Sequence, residues 1–348
     1  MTRDTAPIRT EERFDEDRVA EYLRLELGEL LPDAPIAFEQ FHGGAANLTY
    51  LMMCGDVEFV LRRPPLGETA AGSHDMQREH RVLSRIWQEF PKAPRAYHFC
   101  EDAAVMGKPF LVMERRSGHV IRSQWPSSFD GGSGARRHLA EGLVDTLAEL
   151  HGVAPDSVGL SDLGKPDGFV QRQVDGWLRR WDRAKTRDVR DMERLAGLLT
   201  SAVPEPQAAS LIHNDFKLDN TMCDDDGNVV AVLDWDMATC GDPLADLGTL
   251  LAYWVDADDP TYPIFGDQGV TLTEVMGKAE VTERYADATG FDLSNIDFYE
   301  ALALYRIAVI IEQIYARYAA GQTTDKRFAR FEPLAPILAA AALETLGG

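Results

Sequence analysis

The period of the apolar residues changes several times along this chain. Residues 16–31 carry Val19, Tyr22, Leu23, Leu27, Leu30 and Leu31 at the three- and four-residue spacing of one helical face, and Pro32 ends the run. Strand-like pieces follow: Ile36 to Phe41, Leu48 to Met53 and Val57 to Leu61, the last two separated by the turn signal Gly55-Asp56. Met76 to Phe90 returns to the helical period, with Val82, Leu83, Ile86, Trp87 and Phe90 on its apolar stripe. Tyr97 to Cys100 and Phe110 to Met113 are two more strands, flanking a turn near Gly107. The pattern predicts a five-stranded antiparallel sheet with one helix against it.

From about Glu114 the pattern turns helical. Gly118, Pro126 and Gly131-Gly132-Ser133-Gly134 read as loop. Leu139, Leu143, Leu147 and Leu150 then recur at helical spacing, as do Leu302, Tyr305, Ile310 and Ile314. Leu211-Ile212 and Val229 to Leu233 are short strand candidates between them, and no internal repeat or low-complexity linker interrupts the chain. The expectation is an α+β fold in two lobes, residues 1–115 rich in sheet and 116–348 mainly helical.

Composition narrows the partners. The 348 residues are 45% apolar and 26% charged, enough for a globular core, and 35 basic against 57 acidic side chains leave a formal charge of −22. Such a field disfavours nucleic acid, and any phosphate must be met by local Arg or Lys, backbone N–H groups or metal. The four cysteines form no C-x-x-C pair, which speaks against structural zinc and a disulfide framework. Residues 1–17 lack the apolar stretch of a signal peptide, and even the oily run Ala301 to Ile311 is interrupted by Arg306. The expected location is cytoplasmic, with no membrane partner.

The most informative stretch is Leu211-Ile212-His213-Asn214-Asp215-Phe216-Lys217-Leu218-Asp219-Asn220, followed by Val232-Leu233-Asp234-Trp235-Asp236. An apolar strand leads into H-x-D, an Asn stands five residues after that Asp, and a second strand ends in Asp. Phosphoryl transfer needs a carboxylate to orient the attacking hydroxyl and oxygen ligands to hold magnesium against the phosphates. This spacing supplies both, as the kinase catalytic loop does.

On these residues the chain resembles the aminoglycoside phosphotransferase-like kinases of the protein-kinase-like superfamily. Within them it is most similar to the branch that in animals is fused to acyl-CoA dehydrogenases. The resemblance runs through Phe41-His42-Gly43-Gly44-Ala45-Ala46-Asn47-Leu48-Thr49-Tyr50, Val60-Leu61-Arg62-Arg63-Pro64-Pro65, His74-Asp75-Met76-Gln77-Arg78-Glu79, Val112-Met113-Glu114, and the His213 and Asp234 stretches to Gly241-Asp242-Pro243 and Asp246. It implies a two-lobed protein-kinase-like fold and an ATP- and Mg2+-dependent transfer to a hydroxyl of a small molecule. It further implies Asp215 as catalytic base and Asn220 and Asp234 as magnesium ligands, with Asp236 as helper. By the same resemblance Gly43, Gly44 and Asn47 are expected in the loop over the nucleotide phosphates, Glu79 is expected to pair with the strand cation, and Met113 and Glu114 are expected where the hinge meets adenine. The usual strand lysine is Arg62 here, a planar fork able to grip phosphate and Glu79 together. Lys217 is a candidate to neutralise charge on the transferred phosphoryl group.

Plainer roles are expected elsewhere. His213 reads as loop packing, Asp242 and Asp246 as anchors of the next helix, Cys223 and Cys240 as small buried hydrophobes. Arg179, Arg183, Arg187 and Arg190 are expected as one basic helical stripe, either a solvated face or a docking patch for an anionic acceptor such as a hydroxyacyl-CoA. The alternatives are a nucleotide-binding pseudokinase, to which Arg62 lends weight, and a kinase of an aminoglycoside or other hydroxylated metabolite. A kinase of protein is disfavoured, because Asp234-Trp235-Asp236 leads directly to Gly241-Asp242-Pro243 without the usual activation segment.

Overall fold

The structure is a computed structural model and describes residues 4–41, 47–66, 75–131, 133–256, 258–265, 270–323 and 325–347. The chain divides into two compact units, Met1–Gly118 with Val230–Ala238, and His119–Val229 with Thr239–Gly348. Its class is α+β, as expected.

The first unit holds strands β1 (Thr5–Ala6), β2 (Ile36–Phe41), β3 (Leu48–Cys54), β4 (Val57–Arg63), β5 (Ala96–Cys100) and β6 (Phe110–Glu114), with helices α1 (Glu16–Leu27), α2 (Met76–Ile86) and α3 (Ala103–Met106). The sheet order is β1-β2-β3-β4-β6-β5, antiparallel throughout. It has six strands rather than the five expected. The extra one, β1, sets Thr5 and Ala6 against Phe41 and Gln40, and two residues are too few to show an alternation.

Alternation along β4 separates two adjacent arginines. Arg63 turns toward the apolar cluster that includes Tyr50, Leu61 and Met106. There the Tyr50 hydroxyl accepts from its Nε at 3.2 Å and Nη2 at 2.7 Å, and the Glu12 carbonyl accepts from Nη2 at 2.6 Å. Arg62 therefore leaves by the opposite face, where α2 lies. Asp75 caps α2 by accepting from the Arg78 N–H at 2.9 Å. The buried face of α2 is Met76, Glu79, Val82, Leu83 and Ile86, so a carboxylate stands within an apolar stripe.

Residues 230–238 rejoin this unit through Trp235. Its side chain is fully buried, its Nε1 donates to the Val232 carbonyl at 2.8 Å, and its ring meets Phe90 edge-on at 6.0 Å.

The second unit carries α4 (Ser133–His151), α5 (Phe169–Ala184), α6 (Arg190–Ser201), β7 (Ser210–Ile212), β8 (Thr221–Cys223), β9 (Val229–Val232, which runs on into the first unit), β10 (Thr239–Gly241), α7 (Leu244–Ala252), α8 (Tyr262–Phe265), α9 (Lys278–Thr289), α10 (Ile296–Ala319) and α11 (Leu334–Thr345). Strand β10 pairs antiparallel with β7, Thr239 opposite Ile212. Helix α10 is the axis of the unit, buried without a break from Phe298 to Val309. Helix α7 crosses it at Gly248, where a Cβ would stand 2.5 Å from the Tyr299 carbonyl carbon. The buried charges of α10 find partners: Glu300 accepts from Lys278 Nζ at 2.6 Å, and Glu312 from Thr186 Oγ1 at 2.6 Å.

The expected basic stripe is not one helical face. Helix α5 ends at Ala184, where Lys185 turns to an extended backbone, ψ 125. Arg187 lies in the connection, drawn to buried Glu312 at 3.2 Å, and Arg190 opens α6. Of the four arginines, Arg179 and Arg183 alone share α5, both exposed.

Candidate functional site

The His213–Asn220 segment follows β7 and is shaped by groups far away in sequence. Asp246, wholly buried on α7, accepts from the N–H of His213 and of Asn214, each at 2.6 Å. His151 at the end of α4 backs it, with Nε2 3.3 Å from Asp246 Oδ2 and Nδ1 2.6 Å from the Tyr285 hydroxyl. His213 is buried with its ring edge-on to Phe216 at 6.2 Å. Asn214 takes left-handed backbone, φ 66, and turns the chain sharply before Asp215.

Asp215 is then gripped on one side. Lys217 Nζ and Asn220 Nδ2 reach its Oδ2 at 3.0 Å and 2.9 Å, and Asn220 Nδ2 also donates to the Asp215 carbonyl at 2.9 Å. With its nitrogen so engaged, the Asn220 amide turns its oxygen away from Asp215. The Lys217 ammonium lies 5.2 Å from the centre of the Tyr253 ring. Burial works against that ammonium, but Tyr253, Asp215 and Asp219 outweigh it and raise its pKa above the ordinary lysine range. A half-exposed carboxylate steadied by a fixed cation and an amide can take a proton from a bound hydroxyl.

A second group assembles within the first unit. Arg62 forks, one Nη to Glu79 and the other to Asp234. Glu79 Oε1 also accepts from the Trp235 N–H at 3.3 Å, which ties α2 to the Asp234 turn. Asp234 itself is left-handed, φ 69. Burial pushes the Glu79 carboxyl up to about 7, while Arg62 draws it down. Burial would also lower Arg62, yet Glu79, Asp234 and Asp236 more than offset this and raise it. Arg62 is a permanent cation, so it favours the ionised carboxylate against the cost of burial.

Asn47 Nδ2 approaches Asp236 Oδ2 at 3.5 Å. The buried acceptors Asn47 Oδ1 and Glu79 Oε2 have no hydrogen-bond partner among the described residues. Asp234 and Asp236 offer carboxylate oxygens of the hard kind magnesium takes, which fits an ion held by one or two carboxylates together with substrate phosphates and water; among the described residues no group of three or more His, Cys, Asp or Glu is gathered around a metal position.

Met113 and Glu114 close β6, Met113 opposite Val60 and Ala96. The Glu114 N–H donates to the Arg95 carbonyl at 2.8 Å, and its carboxylate accepts from the Arg95 N–H at 3.0 Å. Gly43 and Gly44 lie outside the described residues. Sequence reasoning gave Asp246 a helix-anchoring role, whereas it holds the loop backbone; an Asp inside the apolar run Leu244 to Leu251 was the available signal. It also passed over Arg306, whose Nη2 is 3.9 Å from Asp215 Oδ1, and Tyr253. The four cysteines are buried thiols outside any disulfide, and burial pushes the Cys223 thiol up to about 12.

Residues 37–299 match the model of a family described as the phosphotransferase enzyme family. Acyl-CoA dehydrogenase family member 10 of Mus musculus is 31% identical over 325 residues, which is 92% of this chain and 30% of that protein. The chain spans between 30% and 44% of the length of the curated relatives it matches. A crystal structure of a presumed aminoglycoside phosphotransferase from Ralstonia eutropha shares the fold at TM-score 0.78 and 28% identity, covering 95% of this chain and 99% of that one. A ternary complex of a thermostable mutant of aminoglycoside phosphotransferase APH(4)-Ia with AMP-PNP and hygromycin B is alike in fold alone, at TM-score 0.61 and 15% identity over 95% of this chain and 99% of that one. Among the described residues no helix is long and apolar enough to cross a membrane.

Proposed function

Because this chain belongs to the phosphotransferase enzyme family, we propose that it transfers the terminal phosphoryl group of ATP to a hydroxyl of a small molecule. The observation that carries this reading is Asp215, a carboxylate steadied by Lys217 and Asn220 in a loop whose backbone is bonded to buried Asp246.

In this mechanism Asp215 orients the acceptor hydroxyl and takes its proton as the oxygen bonds to the γ-phosphorus. The bond from that phosphorus to the bridging oxygen breaks, and ADP leaves with the bonding pair. Lys217 balances negative charge beside the moving group. Magnesium, when bound, neutralises the phosphate oxygens, and its proposed ligands are Asn220 and Asp234, with Asp236 assisting. Arg62, braced by Glu79, contacts nucleotide phosphate, and Asn47 with Gly43 and Gly44 covers it. Met113 and Glu114 border the adenine. Since the Glu114 N–H is already engaged, donors to the base come from residues that follow it. We assign residues 1–115 to the nucleotide and 116–348 to catalysis and the acceptor.

For the acceptor we favour an anionic metabolite, a hydroxyacyl-CoA first, whose phosphorylated chain would be ready for elimination. Likeness to acyl-CoA dehydrogenase family members supports this. So does exposed Arg180, which stacks on Trp177 at 4.5 Å and stands with exposed Arg179 and Arg183 on α5, a group of cations suited to an anion.

The deciding experiment is Asp215→Asn. It should fold and bind Mg·ATP as the native protein does, with turnover lower by roughly 10²–10⁴-fold. Undiminished turnover removes Asp215 from the chemistry. Tight Mg·ATP binding by the native chain with no turnover on any acceptor, water included, makes it a nucleotide-binding regulator instead.

A further inference from the structure

Helix α10 is apolar from Ala301 to Ile311 except at Arg306. That residue is only 9% exposed, and a guanidinium is costly to bury unless its surroundings pair with it. Its Nη1 donates to Asn214 Oδ1 at 3.3 Å, and its Nη2 stands 3.9 Å from Asp215 Oδ1. Trp177 on α5 lies against it, the ring centre 5.6 Å from the guanidinium carbon. One side chain on α10 thus touches the two residues on which the orientation of the loop depends.

Asn214 is where that orientation is set. A residue with a Cβ pays for left-handed backbone and keeps it only when neighbours over-determine it. Asp246 holds the Asn214 N–H. Arg306 holds the Asn214 side chain, so the strained turn is fixed from two helices, α7 and α10. The same guanidinium flanks Asp215 at Oδ1, while Lys217 and Asn220 occupy Oδ2. The carboxylate is therefore bracketed at both oxygens.

We propose that Arg306 is a positioning residue of the phosphoryl transfer: by gripping the Asn214 side chain and flanking Asp215 it fixes the direction in which the Asp215 carboxylate faces. The proposal rests on the role given above to Asp215. Arg306 acts on the loop and not as an anchor for an anionic acceptor.

Hydrolysis of Mg·ATP with water as the only acceptor separates these roles, since an acceptor anchor is idle in that reaction. Turnover, calorimetric affinity for Mg·ATP and urea unfolding are measured for the native protein, Arg306→Gln, Asn214→Gly and the double variant. Arg306→Gln should lower hydrolysis by up to about 10²-fold, the usual cost of a misplacement near 1 Å, with affinity for Mg·ATP unchanged. In the Asn214→Gly background, where the side-chain link is already gone, the same change should cost at least roughly threefold less. The unfolding constants should show a coupling of similar size. Unaltered hydrolysis in Arg306→Gln, equal factors in both backgrounds, or multiplicative unfolding constants each overturn the proposal. Should Arg306→Gln not fold, Arg306→Lys carries the same comparison, since it keeps the charge and loses the fork. Where the native protein does not hydrolyse Mg·ATP, the unfolding cycle decides by itself whether Arg306 holds the loop, and the phosphotransferase reading falls only when no other acceptor is turned over either.

Discussion

Asn214 and Asp234 are the non-glycine residues found with positive φ among the described residues, at 66 and 69. Each costs on the order of 1–3 kcal/mol of local strain. Asn and Asp tolerate this backbone better than other side chains, so the residue types agree with the geometry, but nothing in the sequence announces it. The pairing of Asp215 with Asn220 was legible, since their spacing alone suggested it and the Asn220 amide is bonded to Asp215. The supports were not, because Asp246 and Arg306 reach the loop from helices later in the chain. The fork of Arg62 leads to a prediction. Its two nitrogens serve Glu79 and Asp234 separately, and a lysine has a single ammonium for both. Arg62→Lys should keep Mg·ATP binding and native-like turnover, whereas Arg62→Ala leaves Glu79 buried without its cation, a loss of about 3–5 kcal/mol. Calorimetry and thermal melts check this; indistinguishable melts for Ala and Lys would show the cation to be idle.

At the scale of elements, periodicity found the long helices and the five longer strands, because each buries a stripe or a face that the sequence repeats. It failed where length or context ruled. Strand β1 is too short to repeat anything, and α5 stops at Ala184 although the arginine spacing continues. What ends the stripe is the pull of buried Glu312 on Arg187 and Thr186, a tertiary cause. The crossing of α7 and α10 can be tested at Gly248. Alanine improves helix propensity by up to about 1 kcal/mol, yet its Cβ would fall 2.5 Å from the Tyr299 backbone. Overpacking against backbone typically costs about 1–3 kcal/mol and should win. Gly248→Ala is expected to lower the urea midpoint, with the slope of the transition unchanged; a more stable variant would mean that the helices can part freely.

For the whole molecule, the charge of −22 by itself suits a cationic acceptor, but fields are screened beyond about 10 Å at ordinary ionic strength, so local arginines can prevail. Turnover on a panel of hydroxyacyl-CoAs, sugars and aminoglycosides, by the native protein and by Arg179→Glu/Arg183→Glu, tests this. We expect acyl-CoAs to be phosphorylated and their KM to rise about tenfold or more on charge reversal, an effect of 1.4 kcal/mol or greater. Turnover confined to aminoglycosides would refute the anionic acceptor, and an unchanged KM would leave those arginines as a solvated face. Two units could be expected from the shift in pattern near Glu114. Nothing in the sequence marks Val230–Ala238 as packing with the first of them, for the deciding side chain is one buried tryptophan. That return of the chain has a consequence for biosynthesis. The first unit cannot be finished when Gly118 leaves the ribosome, because Trp235 and Asp234 are still unmade. At about 5–20 residues per second the nascent sheet waits on the order of ten seconds, with Arg62 and Glu79 lacking their third partner. A chaperone that shields the apolar face later covered by Trp235 should raise the yield of native protein, and a ribosome stalled just after residue 118 should release a fragment prone to aggregate.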